Sequence, residues 1–291
     1  MNGLLIVDKP GGITSHDVVA RVRKATGERS IGHLGTLDPM ATGVLPLLMG
    51  KYTRLAQFFG SLEKAYTGTI RFGFATDTYD AEGQPMGEPV DVTLLPEQVR
   101  AAARRFHGEI EQMPPPYSAK KIDGKRAYQL ARSGETPKLK SARITIKAFD
   151  ITSHETNVAA FFMAVSAGGY VRSVAHELGL DLGCGAHLAS LRRVAAGPFT
   201  LSDAIPLADI ETFAADGTLG GKIPHPRTLL PELPAVTADA FSAGRLRNGG
   251  AVNLPEFTSA PLVKIFEGQR ELIAIGQRIA GTLFQPIVVL G

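Results

Sequence analysis

The segment from Lys222 to Val236 contains four prolines and divides the chain into a long and a short part. Proline fixes its own φ at about −65° and disfavours helix in the residue before it, so this segment predicts a stiff connection. Three short apolar runs follow it, each bounded by turn residues: Leu262–Phe266, Glu271–Ile275 and Pro286–Leu290. The pattern predicts a larger domain over 1–232 and a small β-rich module over 233–291, near the lower size limit for independent folding.

The long N-terminal part mixes strand and helix patterns. Leu4–Val7 and Val158–Val165 are apolar runs typical of buried strands, and residues 66–72 alternate in polarity as a half-buried strand does. Helical periodicity follows Thr14, a capping residue, and ends before Gly27. This part therefore contains both strands and helices, and we expect an α+β domain.

The cysteine content and the lengths of the apolar runs limit the cellular compartment that we expect for the protein. The chain has one cysteine, Cys184, which excludes an internal disulfide and a cysteine-based metal cluster. Leu4–Val7 is shorter than the apolar core of a signal peptide, and no run approaches the ~18 apolar residues of a membrane span. These observations predict a cytoplasmic protein that does not bind a membrane.

Basic residues are concentrated between Lys120 and Lys147, although the whole chain has a net charge of only +3. This stretch contains nine basic and two acidic residues, so the rest of the chain is acidic overall. The proline-rich run Met113–Tyr117 introduces it and cannot be a helix or a central strand. Such a concentration predicts a surface that binds a polyanion, and a solvated surface helix is the alternative.

Asp38 is the only carboxylate between Gly32 and Gly43, a segment rich in glycine and apolar residues. A carboxylate in such surroundings is poorly solvated, which raises its pKa. Pro39 favours an extended backbone at Asp38, and the glycines allow another backbone to approach closely. We therefore predict a catalytic carboxylate that needs a nearby cation to stay ionised.

Three residues are candidates to work with this carboxylate. Arg172 lies where an apolar strand turns through two glycines into a helix, and its alternative role is pairing with a surface acid. Tyr66 could stack on a planar base or move a proton, and its alternative role is in the core with its hydroxyl at the rim. His33 could contact a phosphate or a flipped base, or simply bond to its own turn.

Three segments of the sequence are similar to cofactor or metal motifs, but none of them is complete. The segment Asp8–Ser15 lacks the order of a phosphate-binding loop. Asp80–Gly83 is similar to part of a calcium loop, but Pro89 stands where the bidentate glutamate is needed. His176-Glu177 has no second histidine four residues on. We expect neither a cofactor nor a metal.

These motifs, taken in order, closely resemble the bacterial tRNA pseudouridine synthase B family. The similarity rests on a set spread over the N-terminal part: Lys9–Val19 (KPxGxTSxDVV), Gly32–Gly43, Lys64–Tyr66, Thr76–Gly83, Pro115–Lys121 with Gly124–Tyr128, Gly169–Arg172 and Leu191–Arg193. Residues 233–291 match more weakly, in the way that a PUA-like RNA-binding module would.

The resemblance implies a mixed, largely antiparallel central sheet flanked by helices, the pseudouridine synthase fold, followed by the PUA-like module. It implies a monomeric, cofactor-independent isomerase that flips a uridine out of the T-loop of tRNA, at position 55, and converts it to pseudouridine. In this scheme Asp38 is the nucleophile that breaks the glycosidic bond and Arg172 pairs with it. Tyr66 stacks on the base and assists proton removal.

The resemblance also implies binding residues around the flipped uridine and an RNA-gripping insert over about 109–147. The substrate-binding residues are His33, Tyr170, Leu191, Lys9 and Asp80. The RNA-binding residues are Lys120, Lys121, Lys125, Arg126, Arg132, Arg192 and Arg193. The implied partner is the T-arm of tRNA, with no obligate protein partner.

Two other function classes are compatible with the residues alone. A non-catalytic RNA-binding or RNA-folding module would keep every function after substitution of Asp38. A glycoside hydrolase or nucleosidase would release free uracil, but such enzymes usually need a second carboxylate, and no convincing one stands out.

Overall fold

The computed structural model describes residues 1–118, 121–122, 125–126 and 139–291. The helices in this part of the chain are α1 (Ser15–Thr26), α2 (Pro96–Arg104), α3 (Val171–Asp181), α4 (Leu207–Ala215) and α5 (Ala240–Arg247), and Gly50–Phe59 is a 3₁₀ helix. The strands of the N-terminal part are β1 (Gly3–Lys9), β2 (Ile31–His33), β3 (Thr42–Met49), β4 (Lys64–Phe72), β5 (Gly108–Gln112), β6 (Lys121–Ile122), β7 (Lys125–Arg126), β8 (Ala142–Glu155), β9 (Val158–Val165), β10 (Ala186–Ala196), β11 (Phe199–Thr200) and β12 (Ile205–Pro206). The C-terminal strands are β13 (Ala235–Ala238), β14 (Val252–Asn253), β15 (Leu262–Glu267), β16 (Glu271–Ala280) and β17 (Leu283–Val289).

A ten-stranded sheet forms the centre of the N-terminal domain. Its strands follow the order β12-β1-β3-β10-β4-β9-β8-β5, while β2 pairs with β3 and β11 pairs with β10. The pairs β1–β12 and β3–β10 are parallel, and the other pairs of this sheet in the described chain are antiparallel. The predicted α+β class, with a mixed and largely antiparallel sheet, is confirmed.

Helix α1 begins at a side-chain cap and ends at a glycine, as its sequence predicts. The Thr14 side chain accepts a hydrogen bond from the Asp17 N–H, and the Asp17 carboxylate accepts one from the Thr14 N–H. Gly27 ends the helix with a φ of 70°. Valines 18, 19 and 22 are buried against the sheet, which confirms the predicted helix and leaves its first residue, Ser15, buried as well.

The C-terminal module is a separate five-stranded sheet in the order β13-β15-β16-β17-β14. The three apolar runs of the sequence become β15, β16 and β17, so the predicted β-rich module is present. This sheet does not stand alone. Phe266, Leu272 and Ile275 belong to the same buried apolar cluster as Leu48 and Leu55 of the N-terminal domain, so the module packs on that domain.

The predicted basic insert begins and ends in the central sheet. Residues 109–112 lie in β5 and residues 142–147 in β8, which pair with each other at the edge of the sheet. Residues 113–118 form neither helix nor strand. Lys120 and Arg132 lie outside the described residues, and Lys121, Lys125 and Arg126 belong to the short β6–β7 pair, which the structure describes as backbone.

None of the helices in the described part of the chain is both long enough and apolar enough to span a bilayer.

Gly43 is required where β3 meets β10, and its replacement gives a first prediction. Its φ is 100°, and a Cβ there would lie 2.2 Å from the carbonyl oxygen of Arg193. We expect Gly43→Ala to lower the free energy of unfolding by about 2–5 kcal/mol, because left-handed strain and overpacking add. Urea unfolding measures this change. Gly32→Ala is the control, since a Cβ there meets no atom within 4 Å, and an equal loss in both variants would contradict the prediction.

Candidate active site

A cavity of about 230 Å³ opens where the loop 34–41, the strands β4 and β10 and the start of α3 meet. We call the loop 34–41 the Asp38 loop. The cavity is lined by Gly35, Thr36, Leu37, Asp38, Lys64, Tyr66, Gly168, Gly169, Tyr170, Val171, Arg172, Leu191 and Arg193. Among the described residues that line it, Asp38 is the one carboxylate and three side chains are cationic. The cavity is therefore suited to an anionic or strongly polar ligand that meets a single acid group.

Asp38 and Arg172 form a two-point ion pair on the cavity wall. The Arg172 Nε lies 3.0 Å from Asp38 Oδ2, and Arg172 Nη2 donates to Asp38 Oδ1 over 3.1 Å. The guanidinium fork matches the two carboxylate oxygens, which holds the carboxylate in one orientation. The structure thus brings together two residues that lie 134 positions apart in the sequence.

Arg172 is itself held from several sides and is only 5% exposed. Its Nη1 donates to the Thr78 carbonyl (3.0 Å) and lies 3.4 Å from Asp80 Oδ2, and its Nη2 donates to the Tyr117 carbonyl (2.8 Å). Asp80 is buried beneath it and accepts a hydrogen bond from the Thr78 hydroxyl. Asp80 therefore contacts Arg172 rather than the cavity, and acts on Asp38 through the guanidinium.

The pKa of Asp38 lies above its ordinary value. Burial is the largest cause, and the Asp80 charge adds to it, whereas the charges of Arg172 and Lys9 lower the pKa. The side chain still keeps 33% of its surface accessible, on the wall of the cavity. Arg172 offsets part of the desolvation that the sequence predicts for this carboxylate but does not reverse it.

Two buried side chains fix the backbone on both sides of Asp38. The Ser15 hydroxyl accepts a hydrogen bond from the Leu37 N–H (2.8 Å) and donates one to the Leu37 carbonyl (3.0 Å). The Lys9 ammonium donates to the carbonyls of Pro39 (3.1 Å) and Ala41 (2.7 Å), and also to its neighbour Pro10 (2.9 Å). Burial lowers the pKa of Lys9 to about 8. These bonds make the Asp38 loop rigid although it contains neither helix nor strand.

Removing the Lys9 ammonium tests this arrangement. We expect Lys9→Met to lower the free energy of unfolding by about 1–3 kcal/mol per carbonyl left without a donor. A displaced Asp38 should also lower kcat by roughly 10- to 100-fold. Thermal melts and steady-state kinetics measure the two effects. Lys264→Met is the matched control, because Lys264 is equally buried and donates to two carbonyls outside the cavity lining, those of Arg227 and Leu229. It should lose stability without losing kcat; a similar fall in kcat there would contradict the prediction.

The aromatic and apolar walls of the cavity come from three elements. Tyr66 of β4 is 7% exposed, and Leu191 of β10 is 8% exposed. Tyr170 precedes α3, and its backbone is held by Gln112, whose side chain accepts from the Tyr170 N–H (2.8 Å) and donates to its carbonyl (3.0 Å). Burial raises the pKa of both Tyr66 and Tyr170. A planar base could lie between these side chains beside Asp38.

Of three further predicted site residues, His33 and Arg192 do not line the cavity, whereas Arg193 does. His33 lies on β2, opposite Leu47 of β3. Arg192 is half exposed and forms a two-point ion pair with Asp8, through bonds of 2.7 and 3.1 Å. Arg193, predicted with Arg192 as an RNA contact, is instead 1% exposed and lines the cavity, because consecutive strand residues face opposite sides of a sheet. It is not available as a free surface charge.

Three residues that shape this site have no role predicted from the sequence. Ser15 and Gln112 act through hydrogen bonds to backbone atoms, and Lys64 lines the cavity. Ser15 follows a recognisable helix cap, which is a weak signal for a buried first-turn serine. Gln112 carries no signal, since its partner lies 58 positions away. In the described part of the chain, no three His, Cys, Asp or Glu side chains are grouped to hold a metal ion.

Comparison with known proteins identifies the family. Residues 23–171 match the TruB family pseudouridylate synthase N-terminal domain, and residues 172–229 match the tRNA pseudouridylate synthase B C-terminal domain. The chain belongs to the TruB family of pseudouridylate synthases. A relative from Solibacter usitatus named tRNA pseudouridine synthase B is 44% identical over 293 residues, covering all of both chains. One of the same name from Aquifex aeolicus is 39% identical over 285 residues, which is 97% of this chain and 98% of the relative.

Solved structures are similar over nearly the whole chain. A structure of an H/ACA RNP bound to a substrate RNA containing 2′-deoxyuridine has a TM-score of 0.70 at 25% identity, covering 99% of this chain and 85% of that one. The archaeal box H/ACA sRNP Nop10-Cbf5 complex has a TM-score of 0.71 at 25% identity, covering 100% and 86%. The TruB-family fold of this chain is thus shared with proteins of RNA-containing assemblies.

Proposed function

We propose that this chain converts uridine to pseudouridine in the T-loop of tRNA, at position 55. The observation that carries the proposal is the Asp38–Arg172 ion pair on the wall of a cavity that also presents Tyr66 and Tyr170. Membership of the TruB family and relatives named tRNA pseudouridine synthase B support the reaction and the substrate.

The geometry supports a mechanism in which the target uridine leaves its stack and enters the cavity. Unstacking a nucleotide requires a few kcal/mol, and stacking on an aromatic side chain returns ~1–3 kcal/mol per base. Tyr66 and Tyr170 offer such side chains next to Asp38. The remaining binding free energy would come from cationic residues that neutralise RNA phosphates.

Asp38 acts as the nucleophile that breaks the glycosidic bond. Arg172 favours its ionised form and orients both carboxylate oxygens. The detached uracil turns while the enclosing walls keep it from escaping, and its C5 then bonds to the ribose. The bond that Asp38 formed to the substrate is broken before the product leaves, which restores the carboxylate. The C5–H bond breaks and an N1–H bond forms, so atoms balance without any cofactor. Tyr66 lies on the wall where it can receive the C5 proton.

Binding of the T-arm is proposed to involve both modules. The basic segment around Lys120 to Arg132, together with Arg192, would contact the RNA backbone, and the C-terminal sheet over 233–291 would act as a PUA-like RNA-binding module. We also propose that the chain works as a monomer in the cytoplasm without an obligate protein partner. The archaeal box H/ACA neighbour is a complex of Nop10 and Cbf5, whereas the relative from Solibacter usitatus named tRNA pseudouridine synthase B matches this chain over its whole length.

The decisive test is to incubate the full-length protein with a tRNA transcript labelled with tritium at C5 of uridine. We expect tritium release and a single pseudouridine at position 55 on mapping. A transcript with cytidine at that position is the control and should release no tritium. Free uracil would instead indicate a glycosidase, and binding without any modified uridine would indicate a non-catalytic RNA-binding protein.

A further inference from the structure

Arg193 is a buried cation in the cavity wall that the mechanism above leaves without a role. It is 1% exposed, on β10, and faces Tyr66 of β4 directly across the antiparallel pair. Its Nε donates to the Val44 carbonyl (2.7 Å) and its Nη2 to the Gly35 carbonyl (3.1 Å). One guanidinium thus connects β10, β3 and the Asp38 loop.

Among the described residues, none forms an ion pair with Arg193. In the described part of the chain, no carboxylate oxygen lies within the 4.0 Å that defines an ion pair with this guanidinium. A buried charge without a counter-charge is unfavourable. Hydrogen bonds to backbone carbonyls alone would therefore not account for an arginine at this position. The Tyr66 hydroxyl is the side-chain group that hydrogen-bonds to it.

The direction of this hydrogen bond matters for proton transfer. A guanidinium can only donate, so the Tyr66 oxygen accepts and its own hydrogen points away from Arg193. Burial raises the pKa of Tyr66, and the positive charge and hydrogen bond of Arg193 lower it. Both effects of Arg193 favour the phenolate, which is the form that can accept a proton.

Two glycines lie against Arg193, one in the Asp38 loop and one in β3. A Cβ at Gly35 would lie 3.5 Å from Arg193 Nη1, and Gly43 packs directly on the Arg193 backbone. The guanidinium is thus in contact with the loop and with β3, and it also hydrogen-bonds to Tyr66. Such packing restricts Arg193 to one position, as a residue that orients another side chain requires.

We propose that Arg193 is a positioning residue that fixes the Tyr66 hydroxyl against the flipped base and keeps a positive charge beside it. The inference rests on the proposed uridine isomerisation. In the reaction, the proton leaves C5 for the Tyr66 oxygen as the phenolate becomes a phenol. That phenol then loses a proton to solvent while N1 of the turned ring gains one, so the phenolate is restored and protons balance.

The first test is a double-mutant cycle measured by single-turnover pseudouridine formation. We expect Arg193→Gln to slow the reaction by about 100-fold in the native chain, but by less than about 3-fold in a Tyr66→Phe background. Arg193→Lys should recover part of the rate, because it keeps the charge and can donate. Losses that multiply in the double variant, or a native rate in Arg193→Gln, would overturn the proposal.

The second test needs no RNA, so it separates this inference from the proposed function. Fluorotyrosine is incorporated throughout the chain, and the ¹⁹F signal that Tyr66→Phe removes is followed against pH. Arg193→Gln should move the titration of that signal upward by about 1–2 pH units, and Arg193→Lys by less. Lys264→Met, the control for loss of a buried cation, should not move it. An unchanged titration in both Arg193 variants would overturn the proposal. If Arg193→Gln does not fold, the titration in Arg193→Lys is the test.

Discussion

Asp38→Asn is expected to form no measurable pseudouridine, a loss of about 10⁴-fold or more in single-turnover rate. Asparagine has nearly the same shape as aspartate, but its neutral amide is not a nucleophile. The fold should survive, because Arg172 keeps its contacts with Asp80 and with the carbonyls of Thr78 and Tyr117. Affinity for tRNA should also survive, since the proposed phosphate contacts lie on other residues.

Two measurements separate this result from a folding defect. The slope of log Kd against log salt should equal that of the native protein, because it counts neutralised phosphates and not catalytic groups. Asp150→Asn, which changes an exposed aspartate on β8, should leave the rate unchanged. Native activity in Asp38→Asn would exclude Asp38 as the nucleophile and support a non-catalytic role for this loop.

Arg172→Gln is expected to shift the pH dependence of the rate and to destabilise the fold. The reactive form of Asp38 is the carboxylate, so the rate increases as pH rises through its pKa. Burial already raises this pKa and Arg172 opposes the rise. Without the guanidinium the acidic limb should move about 1–3 units to higher pH, since a nearby opposite charge lowers a pKa by that amount. Breaking a buried pair should also lower the free energy of unfolding by about 3–5 kcal/mol.

Asp80→Asn is the matched comparison because it removes a charge of the opposite sign next to the same guanidinium. The Asp80 charge raises the pKa of Asp38, so its loss should move the acidic limb to lower pH. Profiles of single-turnover rate between acidic and neutral pH, taken on variants that thermal melts show to be folded, measure both shifts. Limbs that move in the same direction in the two variants would contradict this electrostatic account.

Local features of this protein are readable from the residue order. The Thr14 cap, the valine stripe behind it and the Gly27 terminus are interactions within one helix, and the predicted helix agrees with the observed one. The isolated Asp38 between glycines and the conspicuous Arg172 at a strand–helix junction are equally local signals. They nominate residues for chemistry but do not give a distance between them.

Pairings across the sheet are not readable in this way. Arg193 sits beside Arg192 in the sequence, and the family resemblance implied the same RNA-binding role for both. Strand pleating puts Arg192 at the surface with Asp8 and Arg193 against Tyr66 in the cavity wall. A register shift of one residue would exchange them, and the register is set by contacts between strands far apart in the chain.

The residue order alone was sufficient for the class of the fold and for naming Asp38 and Arg172 as candidate site residues, while the division near the proline-rich segment stays a prediction. Caps, turns and periodic burial depend on residues that are close together in the chain, so they can be predicted from the sequence. The rigid backing of Asp38 by Ser15 and Lys9, the burial of Asp80 under Arg172 and the contact of Arg193 with Tyr66 emerged only after folding. Each of these joins elements that are distant along the chain, so its geometry depends on how the whole sheet packs.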